Sequence, residues 1–275
     1  MRNIAVPQRS HVTFSLALRL QGSGAEDGFD RMGRARRSCN SRWSGFVGSG
    51  IGRDYKLNAM DFTAARERMV ASQIVARGIR DERVLEALRH VPRHLFVSAS
   101  ARGEAYEDRP LPIGSGQTIS QPWVVARMSE LARAGTPLER VLEIGTGCGY
   151  QTAVLARLAG EVYSVERIHA LFAKARRNLQ ALKVKNVRLM HGDGMSDLGE
   201  ELAVDAIVVT AGTSRVPDVL FKYLKPGGRM ILPLAQHGAV GDGVQRLTVI
   251  QSTPEGRREH TYDPVRFVPL LPGLA

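Results

Sequence analysis

Cysteine is scarce in this chain: there are two, Cys39 and Cys148, among 275 residues. That excludes a disulfide scaffold and a four-cysteine zinc site, and it points to a reducing compartment, so the expected location is the cytoplasm. Long apolar runs are absent too. None approaches the ~18 residues that a membrane helix needs, which excludes an integral helical membrane protein. The seven histidines are scattered. His90 and His94 have the i, i+4 spacing of a helical metal pair, but Pro92 stands between them and breaks the helix such a pair requires, so no metal site is expected. The remaining composition, 43% hydrophobic and 24% charged, is that of an ordinary folded protein long enough to bury a sizeable core.

The net charge of +11 is unevenly spread. Residues 1–59 hold ten Lys and Arg against four acids, which leaves the other 216 residues only mildly basic. This leader is rich in Gly, Ser and Arg, lacks sustained periodicity and has the composition of a disordered tail. Arg2 and Arg9 ahead of Val12–Leu18 imitate a secretory signal weakly, and Ser15 and Arg19 interrupt it. A polybasic nucleic-acid tail is a second reading of the leader. The third, in which Met60 is the true start, is favoured because periodic structure begins there, and no specific nucleic-acid partner is expected.

From Met60 onward one domain is expected over 60–275. N-terminal helices and a substrate segment occupy 60–135, a ligand-binding core 136–235 and edge strands 236–275. Asp61 can cap a helix running to about Arg77, where Gly78 supplies a left-handed terminator. Asp81 can start a second helix, whose apolar stripe Val84, Leu85, Leu88 and Val91 ends at Pro92. From Val141 short apolar runs (Val141–Ile144, Val162–Val165, Val187–Met190, Ala206–Val209 and Met230–Leu232) alternate with helical stretches at Tyr150–Leu158, Ile168–Leu182 and Val216–Leu224. This predicts an α/β fold with a doubly wound, Rossmann-like, mostly parallel sheet. Val244–Gln251 and Val265–Leu270, with no helix between them, predict an antiparallel pair at the sheet edge.

The first of these strands runs into Glu143-Ile144-Gly145-Thr146-Gly147-Cys148-Gly149-Tyr150, a glycine loop that opens directly into a helix. Such a loop lets backbone amides approach a ligand. A dinucleotide fingerprint would need glycine where Tyr150 stands, and no Gly-Lys-Ser/Thr follows to make a phosphate-binding P-loop. The second strand ends in Glu166, placed to accept hydrogen bonds from both hydroxyls of a ribose. The third ends in His191-Gly192-Asp193-Gly194 at the same sheet edge. Taken singly, Glu166 could be a solvated carboxylate and Asp193 a turn-forming cap. Together the three acid-ended strands are more specific.

This arrangement resembles the class I methyltransferases that use S-adenosyl-L-methionine. The resemblance implies that Glu143, Gly145, Thr146, Gly147 and Gly149 lie against the methionine part of the cofactor, that Glu166 binds the ribose, and that Asp193 with Gly194 meets the adenine. Thr210-Ala211-Gly212 after the fourth strand lacks the Asp/Asn-Pro-Pro-aromatic sequence of the nucleic-acid amino methyltransferases, which counts against methylation of a base nitrogen.

Ahead of the core lies Pro112-Ile113-Gly114-Ser115-Gly116-Gln117-Thr118-Ile119-Ser120-Gln121-Pro122. Gly114 and Gly116 permit close backbone approach, and Thr118 and Ser120 offer hydroxyls before a helix beginning at Pro122. On local grounds Ser120 or Gln121 could equally cap that helix. The segment, the loop, Val165–Ile168, His191–Gly194 and Val265–Leu270 occur in the order found in the protein-L-isoaspartate O-methyltransferase family, which the chain resembles across residues 60–275. The resemblance implies a monomeric enzyme that esterifies the α-carboxylate of isoaspartyl residues in proteins and peptides. Ser120 is then the catalytic residue, and Thr118, Ile119, Arg266 and Val268 contact the substrate. Arg266 could also be no more than a surface cation beside an edge strand. A methyltransferase acting on a small molecule or RNA, sharing only the cofactor half, is the alternative.

Overall fold

The computed structural model describes residues 61–196, 198, 202–236 and 244–275. The leader 1–59 lies outside the described residues. Asp61 caps helix α1 (Phe62–Met69), its carboxylate accepting from the N–H groups of Thr63 and Ala64. The helical run widens into a π turn over Val70–Ile74, tightens to 3-10 geometry at Val75–Arg77 and stops at Gly78, whose φ of 94° is left-handed. Asp81 likewise caps α2 (Glu82–His90) through Arg83 and Val84, and its second oxygen takes the Arg133 guanidinium at 2.8 Å. His90 and His94 are engaged separately, Nδ1 of the first lying 2.8 Å from the Glu86 carbonyl and Nδ1 of the second 2.8 Å from the Tyr106 hydroxyl.

The expected substrate segment forms a hairpin. Strands β1 (Leu111–Gly114) and β2 (Gln117–Ile119) pair antiparallel across Gly114, Ser115 and Gly116, all with positive φ. The two glycines serve this turn and not a close approach, since a Cβ on either would meet open space. Helix α3 (Pro122–Arg133) follows, with proline in its first turn.

The main sheet has the order β5-β4-β3-β6-β7-β8-β9. Strands β3 (Leu138–Ile144), β4 (Ala159–Glu166), β5 (Val187–His191), β6 (Val204–Val209) and β7 (Leu224–Ala235) run parallel. The order reverses between β3 and β6, and open α/β sheets bind ligands in the crevice outside the carboxyl ends at such a point. Helices α4 (Tyr150–Leu155) and α5 (His169–Ala181) connect successive strands. Side chains alternate across the sheet. Val141 packs with the N-terminal helices and α3, whereas Leu142 and Ile144 join Val204, Ile207 and Met230 in a separate cluster.

Three sequence expectations need correction here. Helix α4 ends at Leu155, and the three residues after it close as turns. The helix expected over 216–224 is a six-residue 3-10 helix, Asp218–Tyr223, started by Pro217 and cut short where β7 begins. The antiparallel edge exists, but its outer strand is β9 (Gly256–Val265), paired with β8 (Gln245–Thr253), while residues 266–270 leave the ladder. The sequence Gly256–Val265 hides this strand because an edge strand wet on both faces needs no apolar alternation, and its charges blunt the edge.

Candidate active site

The carboxyl ends of β3, β4 and β6, the β1–β2 hairpin and the segment after β9 form a cleft that opens to solvent. The glycine loop forms its floor. Gly145 donates to the Val165 carbonyl at 2.8 Å, and the Gly147 N–H donates to Glu166 Oε2 at 2.8 Å. The other Glu166 oxygen accepts from Ile168 N–H at 2.9 Å, so a single buried carboxylate ties the loop to the end of β4. Each oxygen can accept a further hydrogen bond, and Glu166 lines the cleft.

Glycine is dictated at particular points of this floor. A Cβ on Gly145, at φ 95°, would stand 2.5 Å from Thr210 Oγ1, and one on Gly194 would overlap Ile144 Cγ2. Thr146, Gly147 and Gly194 line the cleft as expected. Glu143, Gly149 and Asp193 do not. Glu143 lies beneath the floor, fully buried, where Oε2 accepts from the hydroxyls of Thr152 and Ser164 at 2.5 Å each. Ser164 also meets the Thr146 hydroxyl at 2.6 Å, so Glu143 reaches the cleft through a chain of hydroxyls. Burial pushes its pKa up to about 8; the two hydroxyls oppose the rise and the nearby Glu166 adds to it. Gly149 is the N-cap of α4 with a left-handed φ of 88°, and that conformation, rather than want of space beside Ala175 and Leu179, explains this glycine. Asp193 makes a turn, accepting from the Met195 N–H and the Ser196 hydroxyl, and also takes the Gly273 N–H. Burial acts to raise its pKa, but these hydrogen bonds outweigh it and the net shift is downward.

A second cleft adjoins the first. Arg77, Pro110, Gln121, Trp123 and the stretch Pro264–Val268 line it, and Thr118, Ser120, Thr210 and Val268 stand in the walls of both. Among the described residues the hydroxyls of Thr118 and Ser120 have no hydrogen-bond partner. The N-cap of α3 is Gln121, without a side-chain cap, so Ser120 does not serve as one. Ile119 is buried at the first cleft, whereas Arg266 is exposed at the second and has no ion pair among the described residues.

A sequence profile of the family described as protein-L-isoaspartate(D-aspartate) O-methyltransferase matches residues 64–274. The chain belongs to that family. The isoaspartate O-methyltransferase of Azoarcus sp. (strain BH72) is 53% identical over 210 residues, covering 76% of this chain and 94% of the relative. The corresponding protein of Chromobacterium violaceum is 50% identical over 206 residues, covering 75% and 90%. Among solved structures, a protein-L-isoaspartate O-methyltransferase superposes with a TM-score of 0.67 at 29% identity, over 76% of this chain and 67% of its own. A Plasmodium falciparum protein assigned to the same enzyme class, in complex with S-adenosyl-L-homocysteine, superposes with a TM-score of 0.62 at 25% identity, over 76% and 98%. The expected α/β fold, a mostly parallel sheet with antiparallel edge strands, is shared with these isoaspartate methyltransferase structures. The sequence reading missed Ile113, Gln117, Arg167 and Leu271 in the first cleft and Arg77 and Trp123 in the second. The Gly114-Ser115-Gly116 turn was the available signal for the hairpin that carries the first two. Arg77 and Trp123 meet only through the tertiary fold, the guanidinium lying 4.0 Å over the indole.

Proposed function

We propose that this chain methylates the free α-carboxylate of L-isoaspartyl residues in peptides and proteins where its two clefts meet, and that the first cleft holds S-adenosyl-L-methionine. When bound, that cofactor supplies an electrophilic methyl group on a sulfonium centre. The residues fit it: the glycine floor has no room for side chains at Gly145 and Gly194, and the buried Glu166 carboxylate faces the same space. Gly145, Thr146 and Gly147 would hold the methionine portion, Glu166 the ribose and Gly194 the adenine. Glu143, Gly149 and Asp193 would support the site from behind.

An α-carboxyl group titrates well below neutrality, so the substrate arrives as an anion and needs no general base. No histidine is found in the walls of either cleft among the described residues, which suits such a nucleophile. The chain's task is then alignment and exclusion of water. Ser120, free to donate and common to both clefts, would hold one carboxylate oxygen and direct the other toward the methyl group. Thr118, Ile119, Val268 and the exposed Arg266 would hold the peptide around it. The ester product has a better leaving group than the acid, so the neighbouring backbone nitrogen can close a succinimide that hydrolyses in part to normal aspartate. This is repair of damaged protein.

The observation that carries the assignment is the unpartnered Ser120 hydroxyl in the wall between the clefts. For Ser120→Ala we expect base-labile methyl incorporation into an isoaspartyl peptide to fall about 10- to 100-fold in kcat/KM, the scale for losing one hydrogen bond to a charged group. Cofactor affinity and Tm should be unchanged. Unaltered turnover with a lowered Tm would make Ser120 a structural residue. We also infer a single domain over 60–275 that acts as a monomer in the cytoplasm without a nucleic-acid partner. Both clefts are built from one chain, and cysteine usage suits a reducing compartment. No helix among the described residues is long and apolar enough to cross a membrane.

A further inference from the structure

Residues 266–275 form a strap across the carboxyl edge of the sheet. Its near end is fastened beside β6 and β8. Gly212 N–H donates to the Val268 carbonyl at 2.8 Å, Leu270 N–H to the Gly212 carbonyl at 2.7 Å, and Phe267 exchanges two bonds with the Gln245 amide. Its far end is fastened beside β4 and β5. Gly273 N–H donates to Asp193 Oδ2 at 2.7 Å, the Arg167 guanidinium donates to the carbonyls of Gly273 and Pro272, and Ala275 makes main-chain bonds with Arg167 and His169. Between the two anchorages Val268, Pro269, Leu270 and Leu271 line the first cleft.

The two anchorages differ in kind. At the near end the Val268 and Leu270 bonds bridge to the sheet, and Gln245 is buried. At the far end the bonds lie among half-buried and exposed residues, and Leu271 itself is 48% exposed. Bonds of the second sort open locally far more often than the sheet unfolds. Asp193 stands where contact with the adenine was expected, yet its carboxylate is occupied by three donors, one of them from the strap.

We propose that residues 272–275 are the latch of a roof over the cofactor cleft. Arg167 and Asp193 are positioning residues that hold the latch, and its opening governs how fast the demethylated cofactor leaves. This rests on the reading that the cleft binds S-adenosyl-L-methionine. Val268 lines both clefts, so the same strap that roofs the cofactor also forms part of the peptide groove, and opening the far end leaves the groove intact.

The test is the dissociation rate of S-adenosyl-L-homocysteine from the full chain, from Gly273→Pro and from a chain stopped after Leu271. Proline removes the N–H given to Asp193 and cannot adopt the φ of 77° found at Gly273; neither change replaces a residue lining the cleft, although residues 272–275 hold Arg167, which lines it. Both variants are expected to release the ligand at least about tenfold faster, since the substitution removes the Gly273–Asp193 bond and the truncation removes all five far-end hydrogen bonds. Their ligand-free Tm should stay within about 2 °C of wild type, since few buried contacts are lost. Amide exchange at Gly273 and Ala275 is expected to slow when the ligand binds. Binding by the wild-type chain is measured first. If it binds and both variants release at the wild-type rate, the latch is wrong and the cofactor assignment stands; if it does not bind, both are contradicted.

Discussion

Glu143 shows what the glycine loop demands of the residues beneath it. Its Oε1 is buried without a partner among the described residues, and burial favours the neutral acid more than the two hydroxyls on Oε2 favour the anion. The ordinary pKa of 4.5 rises to about 8 in the folded chain, so between those values the folded state holds a proton that the unfolded state has released. Stability must therefore fall as pH rises through that window and stay level with respect to this group below it. Glu143→Gln cannot titrate. The stability of wild type relative to Glu143→Gln should decline from pH 5 to pH 8, by up to about 1.4 kcal/mol per pH unit, as measured by chemical denaturation at each pH. A pH-independent difference would place an ionised carboxylate there. Gly145 makes the companion case. Alanine at φ 95° is strained, and its Cβ would collide with Thr210, so Gly145→Ala should cost about 2–3 kcal/mol and weaken cofactor binding more than tenfold in calorimetric titration.

At the scale of elements, caps and strand runs were the most legible features. Asp61, Gly78, Asp81, Pro92 and Pro122 act where local chemistry alone puts them, and the five parallel strands cover the apolar runs that announced them. What the sequence hid was decided by neighbours. Strand β9 is held by its ladder to β8 and not by its own pattern, and residues 266–270 depart from the sheet because Gly212 captures their backbone. The same contrast separates the two capping aspartates. Asp61 only caps, whereas Asp81 caps α2 and also pairs with Arg133, both side chains nearly nine-tenths buried. Asp61→Ala should cost about 1 kcal/mol and Asp81→Ala about 3–4 kcal/mol in urea denaturation. Equal losses would show that the Arg133 pair contributes nothing.

Across the whole molecule, the sequence disclosed the cofactor half of the site better than the substrate half. The glycine loop and Glu166 sit close in the primary structure because the single crossover from β3 to β4 joins them. Even so, Glu143, Gly149 and Asp193, expected with them, do not line the first cleft. The second cleft draws on Arg77, Trp123, Ser120 and Arg266, which are brought together only by the fold. More than half of the excess positive charge lies in residues 1–59, none of which line the two clefts, so charge is a poor guide to what these clefts bind. The central claim concerns the acceptor. Its most direct test is transfer of labelled methyl groups from S-adenosyl-L-methionine to two synthetic peptides that differ only in one isoaspartyl or normal aspartyl linkage. The account predicts base-labile label on the isoaspartyl peptide alone; equal label on both, or none on either while the cofactor is bound, would contradict it.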